Sequence, residues 1–255
     1  MKKISAILAA AAALCMFSTQ AFAGDTMELL DDGVVEVAPT IGLNSLHKGW
    51  KPGWTSDLAV GYGVTDFMTI STNIALDTGE AFHNIIPGVG FDLLFTPLNT
   101  EHFDIDAFVG FAWQGNYTLT PGLEFNVDMD DDMSSFGAYL RLTTPMYSGP
   151  SIRLGENGEM IEGDVKTDFS FDITLGFYYT FMEGNQLFLE GGLMLPNMAK
   201  NLGERSQNGY ISLGYNVEVM DNFEIVSEVK INIPDGGDPV DAEMTVGAII
   251  DIPTL

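Results

Sequence analysis

The sequence predicts an all-β fold, a transmembrane antiparallel up-and-down β-barrel of about twelve strands, and three observations favour it. From residue 34 onward, apolar and polar residues alternate, so that Val35, Val37 and Ile41 have the opposite parity to Glu36 and Thr40. A period of two indicates an extended strand with one apolar and one polar face. The alternating segments are about ten residues long, the length that a tilted strand needs to cross a bilayer. A secretion signal precedes them.

The N-terminus has the three parts of a cleavable secretory signal. Two lysines precede a short apolar stretch, and Ala21-Phe22-Ala23 supplies small residues for cleavage. Cys15, the single cysteine, lies inside this signal, so the mature chain is expected to lack disulfide and thiol chemistry. The expected location is the outer membrane of a Gram-negative bacterium. The predicted parts are a signal peptide at 1–23, a short periplasmic lead-in at 24–33 and the barrel at 34–255.

The composition excludes several classes of protein. The chain has 36 acidic and 10 basic residues, a net charge of −26. Nucleic acid is therefore not an expected partner, because phosphate contacts need lysine and arginine. Hydrophobic residues make up 46% of the chain, too many for a disordered protein. After the signal, no segment has the roughly 20 apolar residues of a membrane helix.

The links between segments support an alternating topology. Links after even strands are mostly tight, as at 65–66, whereas links after odd strands are mostly longer, as at 45–53. This alternation is typical of short periplasmic turns and longer outer loops. The short turn at 115–116 and the longer link at 128–135 break it and leave a miscount of two strands open. The predicted strands are 34–44, 54–64, 67–77, 85–96, 103–114, 117–127, 136–146, 167–181, 186–195, 209–219, 223–233 and 242–252.

The longest loop, 144–166, carries a second pattern. Two short segments flank Gly155-Glu156-Asn157-Gly158, a strong signal for a hairpin turn. We expect strands seven and eight to continue beyond the membrane as a projecting hairpin. Pro145 and Pro150 are expected to bend it or to leave an edge unpaired.

The apolar face is predicted to meet lipid and the polar face to enclose the interior. The polar set is rich in small residues and nearly lacks lysine, unlike the surface of a soluble protein. A lipocalin-like barrel or a secreted β-sandwich is the alternative, because the period alone does not say which face points out. Aromatic residues at strand ends favour the membrane, since they form belts at its two interfaces. The belt residues are Phe67, Phe95, Phe103, Tyr179, Phe181 and Phe223 at one end and Trp54, Trp113, Tyr117 and Phe169 at the other.

The polar face carries many carboxylates and few basic groups. In a water-filled interior, such a wall attracts cations and repels anions, which predicts a narrow, cation-preferring channel. The alternative is a plugged interior in which some carboxylates pair with the two basic residues. Glu36 and Asp251 share this face. The lumen-lining candidates are Asp57, Asp92, Asp104, Asp106, Glu124, Arg141, Asp172, Glu190, Glu218, Glu228 and Lys230.

Catalytic and metal-binding patterns are weak. His47, His83 and His102 lack the His-x-Ser spacing of outer-membrane phospholipases and the acidic partners of omptin-type proteases. We interpret them as loop histidines and expect no enzymatic activity, with a rim enzyme as a lesser alternative. The acidic run 128–133 suggests calcium, but it lacks the glycine and distal glutamate of an EF-hand loop. A solvated acidic turn is expected there, as at 235–238, and no metal or cofactor is predicted.

One hairpin resembles those of small outer-membrane transporters. In Val60-Gly61-Tyr62-Gly63-Val64-Thr65-Asp66, a Gly-aromatic-Gly strand runs into a Thr-Asp turn and a second alternating strand. This pattern is similar to the phenol meta-pathway-associated transporter-like family, and Leu213-Gly214-Tyr215-Asn216 repeats it. The resemblance implies location and topology, but no substrate.

The expected function is therefore a passive narrow channel or transporter for small solutes, in contact with outer-membrane lipid and either monomeric or oligomeric. The alternative from another class is a closed structural or adhesion barrel that acts through the 144–166 hairpin.

Overall fold

The computed structural model describes residues 29–44, 53–77, 86–113, 117–131, 134–154, 160–181, 184–195, 208–233 and 240–253. These residues form fourteen β-strands. Within them, no helix is both long and apolar enough to pass through a bilayer. The strands are β1 Val34–Asn44, β2 Gly53–Thr65, β3 Met68–Asp77, β4 Ile86–Thr100, β5 Phe103–Trp113, β6 Tyr117–Asp131, β7 Ser134–Thr143, β8 Met146–Leu154, β9 Met160–Phe169, β10 Phe171–Phe181, β11 Asn185–Leu195, β12 Asn208–Met220, β13 Phe223–Ile233 and β14 Asp241–Pro253.

Twelve of these strands close into a barrel. Strands β1 to β7 pair in sequence, β7 pairs with β10, and β10 to β14 again pair in sequence. The antiparallel pairing of β14 with β1 completes the circuit. The predicted barrel and its strand number are confirmed. Closure also removes the sheet edges whose unpaired amide groups lipid would not tolerate.

The possible miscount near residues 115 and 130 is resolved in favour of twelve strands. Strands β5 and β6 pair up to Trp113 and Tyr117, so only three residues separate their paired ends. The predicted solvated acidic turn at 128–133, within the link predicted at 128–135, is wrong for most of its length. Strand β6 continues to Asp131, which pairs with Ser134 at the start of β7. Apolar and polar residues alternate through 127–130, and the cross-strand pairing extends to 131, while residues 132–133 lie outside the described part.

Strands β8 and β9 form a hairpin that leaves the barrel circuit between β7 and β10. They pair with each other from Met146↔Phe169 to Leu154↔Met160. Only the first residues of β8 also pair with the barrel, opposite β6 at 117–119. The hairpin agrees with the expected continuation of predicted strands seven and eight. Predicted strand seven, however, is divided between β7 and β8, and predicted strand eight between β9 and β10. Its predicted turn at 155–158 falls outside the described residues.

The two predicted strands are divided where the backbone leaves the regular hydrogen-bonding pattern of the sheet. Pro145, which has no amide hydrogen, follows β7, and its carbonyl accepts a hydrogen bond from Ser170 N at 3.0 Å. The neighbouring Thr144 N donates to Pro121 O at 3.0 Å. The first bond closes the base of the hairpin, and the second holds that base to β6.

The two faces of the barrel differ as the alternation predicts. The outward side chains are apolar and exposed, such as Ile74 at 58% and Leu213 at 57%. Seven of the ten predicted belt residues are exposed and Phe103, Phe181 and Phe223 are half-buried, and Phe67 and Phe95 pack edge to face at a centroid distance of 5.6 Å. Inward side chains are mostly polar and buried. Such an inverted distribution is that of a barrel whose outer surface meets lipid.

Candidate functional site: the inner face of the barrel

Every lumen-lining candidate lies in a barrel strand at an inward register position. Directly opposed pairs include Asp106↔Glu124 and Glu124↔Arg141, while Lys230 faces Ser212 on one side and Glu243 on the other. Glu218 is exposed at the end of β12, beside a register shift. The remaining candidates, spread around the barrel, are Asp57, Asp92, Asp104, Asp172, Glu190 and Glu228.

The structure adds two carboxylates that the sequence analysis missed. Glu224 lies opposite Glu218, and Glu243 lies opposite Lys230. Glu224 lies an even number of residues from Glu228 on β13, and Glu243 lies an even number of residues from Asp251 on β14. The alternation therefore places both carboxylates on the inner face. Counting along each predicted strand from Glu228 and Asp251 would have found them.

Glu190 is the centre of a buried hydrogen-bonded cluster on the β7–β12 side. Its carboxylate accepts hydrogen bonds from the hydroxyls of Tyr139 and Tyr210, the latter at 2.5 Å. The Tyr210 hydroxyl also lies 3.1 Å from Thr174 Oγ1. Because two phenols share one carboxylate, a charge that would be costly to bury alone is hydrogen-bonded within the barrel.

Both inward basic residues are engaged by neighbours. The Arg141 Nε donates to the carboxylate of Glu124, and its guanidinium carbon lies 5.3 Å from the Tyr139 ring centroid. The Lys230 Nζ lies 4.1 Å from the Tyr210 ring centroid, within the range of a cation–π interaction. The positive charges are thus concentrated on one side of the interior.

Inward aromatic rings lie over glycines on the neighbouring strand. Phe188 faces Gly214, and its ring occupies the place that a β-carbon at position 214 would take. Tyr139 stands in the same relation to Gly176. A strand glycine often marks such a close approach, and a ring that covers it restores the missing packing. Glycine therefore lets these rings lie along the wall.

This side of the interior is packed like a protein core. Of the four largest fully buried side chains among the described residues, Tyr139, Phe188 and Ser212 lie here, and Glu124 lies on the adjacent strand β6. The alternation leaves open a plugged interior in which carboxylates pair with basic residues, as Glu124 does with Arg141, but it does not predict the packing of these aromatic rings. The reason is that alternation assigns a face to each residue but does not say which inward side chains meet.

The opposite wall, β2 to β6, contains a different set of contacts. Asn126 Nδ2 donates to Asp104 Oδ1 at 2.5 Å and to Asp106 Oδ2 at 2.9 Å. Asp106 also accepts a hydrogen bond from Thr96. Between β3 and β2 of this wall, Asn73 Nδ2 donates to Asp57 Oδ2 at 2.9 Å. Among the described residues, strands β1 to β5 contain no lysine or arginine.

The last residues of the predicted lead-in enter one mouth of the barrel. Leu30 is buried, and its backbone N donates to Thr69 Oγ1 at 2.9 Å. Gly33 adopts a φ of 77°, which favours glycine, and its N donates to Gly63 O at 2.9 Å. A β-carbon at Gly63 would collide with the carbonyl of Asp31. Residues 1–28, including the predicted signal peptide, lie outside the described residues.

The catalytic and metal candidates do not assemble into a site. His102 is exposed in the turn between β4 and β5, whereas His47 and His83 lie outside the described residues. In the part of the chain that the structure describes, no group of three or more His, Cys, Asp or Glu residues is arranged to hold a metal ion.

Comparison with known proteins identifies the fold but no sequence relative. Neither a protein-family model nor a curated protein matches the sequence. The chain is similar in structure to the KdgM porin in complex with disordered oligogalacturonate, at a TM-score of 0.55 and 12% identity, over 84% of this chain and 98% of that one. It is also similar to the COG4313 outer-membrane channel from Pseudomonas putida F1, at a TM-score of 0.56 and 11% identity, over 89% and 99%.

A third similar structure is the translocator domain of the autotransporter NalP from Neisseria meningitidis. The TM-score is 0.64 and the identity 11%, over 98% of this chain and 99% of that one. The chain therefore has the barrel fold that outer-membrane porins and channels share with autotransporter domains.

Proposed function

We propose that the protein is an outer-membrane channel for small solutes with an acidic, cation-preferring lumen. The observation that carries the proposal is the charge of the inner wall. Carboxylates occupy inward positions around the barrel, against which the described barrel strands offer only Arg141 and Lys230. An acidic wall around water raises the local concentration of cations and lowers that of anions.

The distribution of charge supports a preference for cations on one side of the lumen. Arg141 and Lys230 lie on β7 and β13, where Glu124, Glu228 and Glu243 are close to them. The wall from β1 to β5 has no such compensation within the described strands. A cation that moves along that wall meets carboxylates without meeting a basic residue.

The comparison with porins supports a channel, but the acidic inner wall favours a solute unlike the one bound to the KdgM porin. The KdgM porin was solved with an oligogalacturonate, which is a polyanion. The inner wall here would repel such a solute, so small cations and small neutral solutes are the expected substrates. The proposal assigns no catalytic role.

A second candidate, a closed barrel that acts through its hairpin, is favoured by two observations. The β7–β12 side of the interior is packed with buried side chains. The β8–β9 hairpin continues beyond the barrel circuit and pairs with it over only three residues. Such a protein would present the hairpin to a partner and conduct nothing.

Planar-bilayer recording separates the two candidates. The full chain, folded in detergent and inserted into a neutral bilayer, is measured in a gradient of KCl. We expect a current whose reversal potential has the sign of a potassium-selective pore. Absence of current would favour the closed barrel, and a chloride-selective current would contradict the acidic lumen. Liposome swelling with neutral, cationic and anionic solutes of similar size then gives the solute class.

A further inference from the structure

We propose that Asp57, Asn73 and Asp92 form a binding site for a partly hydrated hard divalent cation, such as Ca²⁺, on the β2–β4 wall. The inference deepens the proposed function and rests on it in one respect, namely that water and ions reach the inner face. It differs from a general preference for cations because it names one location and one ligand set.

The three side chains stand on adjacent strands at successive inward positions. Asn73 lies opposite Ala59 and Gly90, Asp57 lies opposite Ala75, and Asp92 lies opposite Ser71. The inward neighbours are therefore small. The Asn73 Oδ1 occupies the place that a β-carbon at Gly90 would take, so the amide leans from the side of Asp57 toward the strand of Asp92. The amide thus bridges the two acidic positions.

Each of the three side chains has one buried oxygen without a hydrogen-bond partner. These atoms are Asp57 Oδ1, Asn73 Oδ1 and Asp92 Oδ1. Asn73 is only 6% exposed, and its Nδ2 is already used by Asp57 Oδ2. A buried acceptor without a donor is costly, and the two carboxylates also repel each other. A cation would satisfy all three oxygens and remove the repulsion, whereas water would satisfy only the hydrogen bonding.

Several other inward carboxylates already have hydrogen-bond partners within the chain. Glu190 accepts from two tyrosine hydroxyls, and Asp106 accepts from Thr96 and Asn126. Glu124 receives the Arg141 guanidinium. On the β2–β4 wall, no described lysine or arginine is available for this task. A positive charge that pairs with these two carboxylates would therefore come from solution.

The ligand chemistry selects a hard cation. Two carboxylates and one amide oxygen are the donors that Ca²⁺ and Mg²⁺ take, whereas softer metals favour imidazole and thiolate. Three protein oxygens do not complete the six to eight ligands of Ca²⁺, so water supplies the others. Such a site is expected to bind Ca²⁺ with roughly millimolar affinity, as weak extracellular calcium sites do.

Thermal unfolding of the full chain in detergent tests the site without requiring a current. Ten millimolar CaCl₂ is compared with NaCl of equal ionic strength. Because a ligand that binds the folded state raises Tm, we expect CaCl₂ to raise Tm by about 2–5 °C over NaCl. The double variant D57N/D92N should lose this shift. Asn73→Asp should enlarge the shift, because it adds a third carboxylate.

Asp172→Asn is the matched control. Asp172 is also an inward aspartate with a buried oxygen that lacks a partner, but its neighbours on β7 and β11 are Thr143 and Met194. Asp172→Asn should keep the wild-type shift, and circular dichroism verifies that all variants fold. The site is disproved if wild type shows no calcium-specific shift, or if D57N/D92N keeps it. A potassium-selective current without a calcium-specific rise in Tm would reject the calcium site but not the channel. A calcium-specific rise in Tm without any current would reject the channel but not the calcium site.

Discussion

At the residue scale, inward aromatic rings depend on glycines of the neighbouring strand. A β-carbon at Gly214 would overlap the ring of Phe188, whereas one at Gly191 would meet only Tyr210 O at an ordinary 3.8 Å. The two glycines lie on adjacent strands but on opposite faces of the wall. They form a natural pair for testing whether the packed interior contributes to stability.

We predict that Gly214→Ala lowers the free energy of unfolding by about 1–3 kcal/mol, because the ring must move off its position. Gly191→Ala should change it by less than about 0.5 kcal/mol. Urea unfolding followed by tryptophan fluorescence measures both. Equal effects of the two substitutions would contradict the account, and adding Phe188→Ala to Gly214→Ala should remove much of the specific penalty.

The ion pair of Arg141 and Glu124 allows a second test at this scale. Glu124 is fully buried, so Arg141→Met leaves a buried carboxylate without its main counterion. We predict a loss of about 3–5 kcal/mol in the free energy of unfolding for Arg141→Met. Combining it with Glu124→Gln removes the charge as well, so the double variant should be more stable than Arg141→Met alone. A double variant that is no more stable would show that the pair is not the cause.

At the scale of elements, the strands were largely predictable and their mutual contacts were not. The two-residue period gave the twelve strands of the circuit because each alternates along its own length. The division at Pro145 was only partly foreseen, since proline signalled a bend without saying that β8 and β9 would form separate strands. The contacts of Tyr139 and Tyr210 with Glu190 depend on the register between strands, which no single segment encodes.

The hairpin provides a prediction at this scale. Ser148 lies opposite Thr167, so a two-residue Asn-Gly turn can replace 149–166. We expect the shortened protein to fold and to keep its ion selectivity, because β7 and β10 pair independently from Thr143↔Asp172 to Ser134↔Phe181. Circular dichroism and bilayer recording check both properties. A folded variant that loses its current would show that the hairpin belongs to the conduction path.

At the scale of the whole molecule, the account depends on the environment of the two faces. The apolar face is assigned to lipid because large side chains such as Ile74 remain exposed around the barrel. The polar face is assigned to a lumen because acidic residues line it and the barrel is closed. Neither assignment requires a particular solute, so they can be tested before the substrate is known.

Cysteine accessibility is the most direct measurement of this claim. Cys15, the only native cysteine, lies in the predicted signal peptide, so single cysteines are placed in the chain without residues 1–23, at Ser71, which points inward, or at Ile74, which points outward. In proteoliposomes, a small cationic water-soluble thiol reagent should modify Ser71→Cys and leave Ile74→Cys unmodified, whereas brominated acyl chains should quench a fluorophore only at position 74. Modification of Ile74→Cys with protection of Ser71→Cys would contradict the account.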